Sequence, residues 1–222
     1  ELAVSDKKDL AGIPEDILEA AETEAKNRDQ EGWIFTLSEP SYIPFMKYAE
    51  NRNLREKIYR AKVNVGNNNN EYDNKEIIRK MANIRLEIAR MMGFKNYATY
   101  VLKDRMAQNE DNVMDLLQNL LDHYKSLAIN EYNTIQGFAL GVENVDEFTV
   151  MPWDWTYHSE KVKNRHFKIN DEMTRPDFEL ERVRQGVFNL ANKLYGLTFK
   201  ENKKIPVYNE DVTAYEVFDR RG

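Results

Sequence analysis

The chain carries three imidazoles: His123, His158 and His166. A helical zinc site of the HExxH kind needs two histidines at i and i+4 with a glutamate between them, so that both rings face one ion. His158 and His166 stand eight residues apart. At 100° per residue that is ~80° round a helix, and the axial gap is too long for one metal. His123 lies beside the inward positions Leu120 and Tyr124 and reads as a helix-surface or boundary residue. Asp154 and His158, at i and i+4, are expected to pair on one helix face, which is ordinary helix chemistry. Carboxylate pairs such as Glu143 and Glu147 arise by chance among 38 acidic residues and read as solvated faces. The absence of cysteine excludes a thiolate zinc site, a cysteine nucleophile and a disulfide scaffold. No G-x-G-x-x-G, P-loop or G-x-S-x-G occurs. No catalytic, cofactor-binding or metal-ligating residue is therefore assigned to any position.

Two softer features remain. Asn67 to Asn70 form a polar stretch that reads as a surface turn rather than a ligand loop. Trp153, Trp155 and Tyr157 cluster within one predicted helix. Their odd spacing keeps them off a single face, so some pack inward and others face a cleft or partner, with at least one Trp in the core.

The elements that position these residues are mostly helices. Pro14 suits a first helical position, and Glu15 and Asp16 complement the positive helix start. Ile17, Leu18, Ala21 and Ala25 form the stripe of that helix, to about Gln30. Gly32 to Leu37 is short, apolar and extended. Ser41 is expected to cap a helix bearing Phe45, Met46 and Ala49. Asn51 or Asn53 starts another, with Leu54, Ile58 and Tyr59 inward. Asp73 and Glu76 have capping-box spacing. The helix after them is expected to bury Ile77, Met81, Ile84, Ile88 and Met91 and to stop at Gly93. Asn96 caps a short helix through Val101. Asn109 caps the longest helix, whose expected inward residues are Val113, Leu116, Leu117, Leu120, Tyr124, Leu127, Tyr132, Ile135 and Phe138. That spacing of three and four is helical. Pro152 starts a helix through about His166. Leu180 to Tyr195 is expected to bury Val183, Val187, Phe188, Ala191 and Leu194, with Gly196 closing it. Leu197–Lys200 and Thr213–Asp219 read as strands, and Ile205-Pro206-Val207 as an edge-like extended segment.

The expected fold class is mainly α: a multi-helix bundle lobe with a short β tail near the C-terminus. Residues 1–222 read as one helical scaffold unit, with 1–9 a flexible or extended start and 197–222 a strand-containing tail. A hydrophobic fraction of 41% can build a core, while a charged fraction of 32% demands solvated helix faces. The net charge of -6 argues against a nucleic-acid partner, which would require a basic patch. No apolar run reaches the length of a membrane span.

The stretch Pro152-Trp153-Asp154-Trp155-Thr156-Tyr157-His158-Ser159-Glu160-Lys161-Val162 resembles a segment of the thimet oligopeptidase, oligopeptidase A and peptidyl-dipeptidase family of zinc peptidases. Arg175-Pro176-Asp177-Phe178-Glu179-Leu180 and the run Gly186 to Gly196 resemble the family's next elements, in order. Ile205 to Tyr208 and Asp211 to Asp219 resemble its following strand segment. Met92-Gly93-Phe94-Lys95-Asn96-Tyr97-Ala98 resembles its "LGFxxYA" turn. The likeness runs from about Leu10 to the last residue. Asp154-Trp155 with Phe178-Glu179-Leu180 looks closer to the peptidyl-dipeptidase branch.

The resemblance implies an almost wholly helical, two-lobed fold around a deep channel. It also implies a zinc ion held by HExxH and a downstream glutamate, with the motif's own glutamate activating the metal-bound water. In the family these residues follow the "YEVFD"-like strand, and this chain ends first. The expectation is a piece from the middle of such an enzyme, itself inactive and binding no zinc. The implied partners are short peptide substrates and a remaining C-terminal catalytic part of the same chain. The implied compartment is the bacterial cytoplasm, with the periplasm or envelope as the alternative. The rival reading is a self-contained helical interaction module that presents Trp153, Trp155 and Tyr157 to a peptide or helix. On that reading Tyr215, Val217 and Phe218 should pack within the chain.

Overall fold

The computed structural model describes residues 1–143, 147–168 and 171–221. The chain divides into two compact units, residues 1–165 and 166–222, and each is described by itself.

The first unit is built on helices with one small ladder. Strand β1 (Leu2–Val4) pairs antiparallel with β2 (Trp33–Phe35), Leu2 opposite Phe35 and Val4 opposite Trp33. Helix α1 (Glu15–Lys26) lies against β2 and buries Leu18, Ala21 and Ala25, the stripe read from the sequence. Asn27 ends it, a few residues before Gln30. Helices α2 (Glu39–Tyr48) and α3 (Arg52–Val63) follow. Leu2, Leu10, Phe35, Phe45, Met46, Ala49 and Ile58 form the main core, with Trp153 joining from far along the chain. Phe35 meets Phe45 edge-on with ring centroids 4.6 Å apart. Each such buried side chain contributes roughly 1.5–3 kcal/mol.

Asparagine caps match their expected places. Asn51 accepts from the Leu54 amide and opens α3. Asn96 accepts from the Thr99 amide and opens α5 (Tyr97–Leu102). Asn109 accepts from the Asn112 amide ahead of α6 (Glu110–Glu143). Two expected starts are corrected. Helix α2 has Ser38 at its N-cap position, without a side-chain capping bond, and Ser41 lies inside the helix with its hydroxyl accepting from the Thr36 amide at 3.0 Å. Helix α4 (Lys75–Met91) begins after Asn74, not through an Asp73–Glu76 box. Asp73 instead accepts from the Lys75 and Asn69 amides, and Glu76 pairs with Arg79.

Gly93 follows α4 at φ 81°, where Phe94 and Gly93 donate back to the carbonyls of Ala89 and Arg90. That pair of hydrogen bonds is the left-handed helix stop, which a side chain at Gly93 would strain. The apolar stripes, however, are not where the sequence put them. In α4 Ile77, Met81, Ile84, Ile88 and Met91 are exposed, and only Ala89 is buried among the described residues. In α6 Leu116, Leu117, Leu120, Tyr124, Leu127 and Tyr132 are exposed, Val113 and Phe138 are half-buried, and Ile135 is buried. Periodicity marked the apolar faces, but most of their large side chains stay exposed among the described residues.

The end of α6 does pack. Ile135 and Ala139 meet Val150, with Phe148 and Val162 beside them. The Gln136 side chain donates to the Phe148 carbonyl and accepts from the Val150 amide at 2.9 Å. That clamp leads directly into α7 (Pro152–Phe167), which starts at Pro152 as expected.

The second unit contains the short α8 (Asp171–Thr174), a 3-10 turn (Arg175–Phe178) and α9 (Leu180–Tyr195). Strands β3 (Thr198–Glu201) and β4 (Tyr215–Phe218) follow and pair antiparallel, Phe199 opposite Val217. Phe188 stacks on Phe199 at 4.2 Å and meets Tyr215 edge-on at 5.0 Å. Val183, Val187 and Leu194 are exposed rather than buried, and Phe188 and Ala191 are half-buried. Val217 is exposed, while Tyr215 and Phe218 are half-buried. Ile205-Pro206-Val207 forms no strand, since proline cannot donate to a ladder. Across the described residues the fold is mainly α with short antiparallel strand pairs, one of them near the C-terminus.

Candidate functional site

The most organised polar cluster grows from the first turn of α7. Pro152 is well suited there because its missing N–H would have no helical partner. Asp154, one position past Trp153, turns its carboxylate back to accept from the Met151 amide at 3.1 Å. Arg52, the first residue of α3, donates from Nε to both Asp154 oxygens at 3.0 Å and from Nη2 at 2.7 Å. Arg55, three residues on and so on the same helix face, donates from Nη2 to Oδ1 at 2.9 Å. The remaining Arg55 donors reach the carbonyls of Ala49, Glu50 and Trp153 at 2.8, 3.0 and 3.2 Å. Arg55 is thus fully buried yet satisfied, and it ties the end of α2 and the body of α3 to the start of α7. Its guanidinium lies 4.0 Å from the Tyr157 ring centroid, and that of Arg52 lies 4.6 Å from Phe148. Burial acts to raise the Asp154 pKa, but hydrogen bonds from Arg52 and Arg55 outweigh it and hold the carboxyl below its ordinary range.

This geometry corrects one expectation. Asp154 is committed to the two arginines and does not hydrogen-bond His158. His158 is fully buried, and among the described residues neither ring nitrogen has a hydrogen-bond partner. Phe148 and Tyr157 meet the ring edge-on at 5.6 and 5.1 Å. Burial, and then the charge of Arg55, depress the His158 pKa to about 4, so the ring is neutral at pH 7. Its 3.7 Å approach to Glu143 is therefore no ion pair at that pH. His123 is exposed, with Nδ1 2.7 Å from the Asn119 carbonyl of its own helix. His166 is exposed in the second unit.

Zinc would require converging histidine and carboxylate ligands. Among the described residues no group of three or more His, Asp or Glu could hold a metal ion. The one buried imidazole faces Arg52, Arg55 and Lys161, which oppose a cation. The residues here do not fit a zinc centre. Glu147 is exposed, and its pair with Glu143 forms no such cluster.

The aromatic trio separates as its spacing requires. Trp153 and Tyr157 are buried, Trp153 in the main core edge-on to Tyr59. Trp155 is partly exposed and stacks on Tyr132 of α6 at 6.4 Å, 9° from parallel. The Asn67–Asn70 loop surrounds a lysine: Lys75 Nζ meets Asn67, Asn69 and Asp73 oxygens at 3.1, 2.6 and 2.9 Å.

The sequence reading missed Arg52 and Arg55. One signal was available: Arg55 falls on the face that carries Leu54, Ile58 and Tyr59, where an arginine requires a buried acid.

A profile of Peptidase family M3 matches residues 45–222, a span that includes Arg52, Arg55, Asp154 and His158. Oligopeptidase A of Escherichia coli (strain K12) is 37% identical over 220 residues, covering 97% of this chain and 32% of the relative. Organellar oligopeptidase A, chloroplastic/mitochondrial, of Arabidopsis thaliana is 33% identical over 230 residues, covering 100% of this chain and 29% of the relative. Dipeptidyl carboxypeptidase of Salmonella typhimurium is 31% identical over 223 residues, covering 100% of this chain and 32% of the relative. The chain spans about a third of the length of these relatives. With its profile match running from α2 through β4, the chain belongs to peptidase family M3.

Proposed function

We propose that this chain is the helical scaffold and channel wall of a zinc-dependent oligopeptidase acting on short peptides. On this reading residues 1–222 belong to one scaffold of a two-lobed parent. The metal ligands and the water-activating glutamate belong to a remaining catalytic part of the same polypeptide, and the 222 residues alone are inactive. The observation that carries the reading is the set of apolar helix faces left open. Leu116, Leu117, Leu120 and Leu121 on α6 are each 44–61% exposed. Stripes of that length on a monomer mark a surface that something covers.

The test is an assay of the isolated chain with zinc and a short chromogenic peptide, beside the full-length parent. The expected result is turnover by the parent, abolished by chelator, and none by the chain. Chelator-sensitive turnover by the 222 residues would overturn the reading. So would a parent gene with no HExxH downstream of Gly222.

Release of C-terminal dipeptides is the narrower form of the proposal, supported by Asp154-Trp155 and Phe178-Glu179-Leu180. The higher identity to oligopeptidase A than to dipeptidyl carboxypeptidase among the relatives above favours the broader activity. Product analysis on an N-blocked peptide with the parent decides: dipeptides alone support the narrower form, internal fragments the broader. We assign the parent to the bacterial cytoplasm rather than the periplasm or envelope, which cell fractionation tests. The interaction-module reading is weaker, because Trp153 and Tyr157 are buried and only Trp155 is on offer.

A further inference from the structure

A neutral histidine whose ring nitrogens meet no hydrogen-bond partner among the described residues is an odd occupant of a buried joint, since a phenyl ring would fill the same space without polar atoms to satisfy. Asp154, its nearest acid on the same helix, already accepts from Arg52, Arg55 and Met151. Among the described residues the charged groups facing His158 are Arg52 and Arg55 on α3, Asp154 and Lys161 on α7, and Glu143 at the end of α6. Arg52, Arg55 and Lys161 oppose a second positive charge, and Asp154 is spent on the first two. Glu143 is different. Its Oε1 lies 3.7 Å from His158 Nε2, too far for a hydrogen bond, and the side chain is 36% exposed, so its carboxylate sits at the solvated rim.

We propose that His158 is a proton-operated latch between α6 and α7. Neutral, the ring is a plug against Phe148 and Tyr157, and the two helices stay closed. Protonated by solvent, it gains a second N–H and a positive charge among three cations. The charged ring is then drawn to the rim, where the Glu143 carboxylate and the carbonyl end of α6 both favour a cation. Reaching Glu143 takes the ring out from between Phe148 and Tyr157, parts α7 from the last turns of α6, and opens the Trp155–Tyr132 stack. The depressed proton affinity sets the threshold, keeping the latch shut at neutral pH and releasing it only in acid, towards about 4. The inference does not depend on the peptidase reading.

With three histidines in the chain, the His158 resonance can be followed by NMR while pH is lowered from neutral through about 4. Amide exchange and Trp155 fluorescence are read on the same samples. The expected result is an opening confined to residues 135–143 and 155–162, with exchange there rising about tenfold or more in step with His158 protonation. The core around Phe35 and Phe45 should stay protected. His158→Phe should abolish the pH dependence of that opening. Glu143→Gln, at the rim, should keep the neutral-pH fold and lower the opening midpoint, which covers the case where His158→Phe does not fold. A His158 that titrates in the ordinary imidazole range would overturn the latch. Acid opening retained in His158→Phe, no shift in Glu143→Gln, or opening spread over the whole chain would do the same.

Discussion

Arg55 is fully buried, and a leucine in its place would keep part of its apolar packing. What it leaves behind decides the outcome. Without Arg55, the buried Asp154 keeps Arg52 and the Met151 amide, and the carbonyls of Ala49, Glu50 and Trp153 each lose a donor. Breaking a buried pair from one side costs about 3–5 kcal/mol. Arg55→Leu is expected to lose that much in urea unfolding. Arg55→Leu with Asp154→Leu should lose clearly less than the two single losses added, since the double variant leaves no Asp154 charge to satisfy. Additive losses would show that the joint is packing and not a charge network.

His158 has its own signature. The unfolded imidazole takes a proton below about 6.5, while the folded one waits until about 4. Stability is therefore complete above the upper value and falls as pH drops through that window, by about 3 kcal/mol in total. Urea midpoints measured across the window should slope in the native chain and flatten in His158→Phe.

At the scale of elements, what could be read was local. Asn51, Asn96 and Asn109 start their helices because a short side chain meets an amide three residues on, a contact written within four positions of sequence. Asn51→Ala is expected to cost about 1 kcal/mol of stability, measured by thermal unfolding, from the lost cap. Gly93 and Gly196 stop α4 and α9 for the same kind of local reason, both at positive φ. The misread starts failed where two neighbours competed. Asp73 and Asn74 both suit a cap, and the lysine at 75 drew Asp73 into the loop. The arginine joint was out of reach because its partners stand 99 positions apart, and no local pattern announces a contact of that range. The stripes on α4, α6 and α9 show the same limit from another side. Spacing states which face is apolar, but burial depends on what the rest of the fold brings to it.

For the whole molecule, those open faces predict behaviour in solution. The isolated chain should bind a hydrophobic dye and self-associate as its concentration rises. Leu117→Glu with Leu121→Lys places an i, i+4 ion pair on α6, where both leucines are about half exposed. That double variant should reduce dye binding and shift the chain towards monomer with its helicity unchanged, as judged by sedimentation and circular dichroism. A native chain that stays monomeric and dye-free would remove the main support for a scaffold that expects cover. The family was legible from ordered motifs between Leu10 and the last residue, because motif order is a property of sequence. The chemistry was not, because the described residues bring together no metal-binding set.

Gln136 bears on how α7 begins. Its carboxamide gives one N–H to the Phe148 carbonyl and takes one from the Val150 amide. That exchange, with residues two apart, is the pattern that one residue of a parallel β-strand makes with its neighbour, through its own N–H and C=O. One side chain therefore stands in for a strand residue and ties down Phe148 and Val150 outside any sheet. Only an amide of this reach can do it. Glutamate has no N–H for Phe148, and asparagine is a methylene short. The approach to α7, and with it the way Asp154 faces the arginines, is thus held by an uncharged side chain as well as by Arg52 and the Met151 amide, and no count of ionisable groups would single it out.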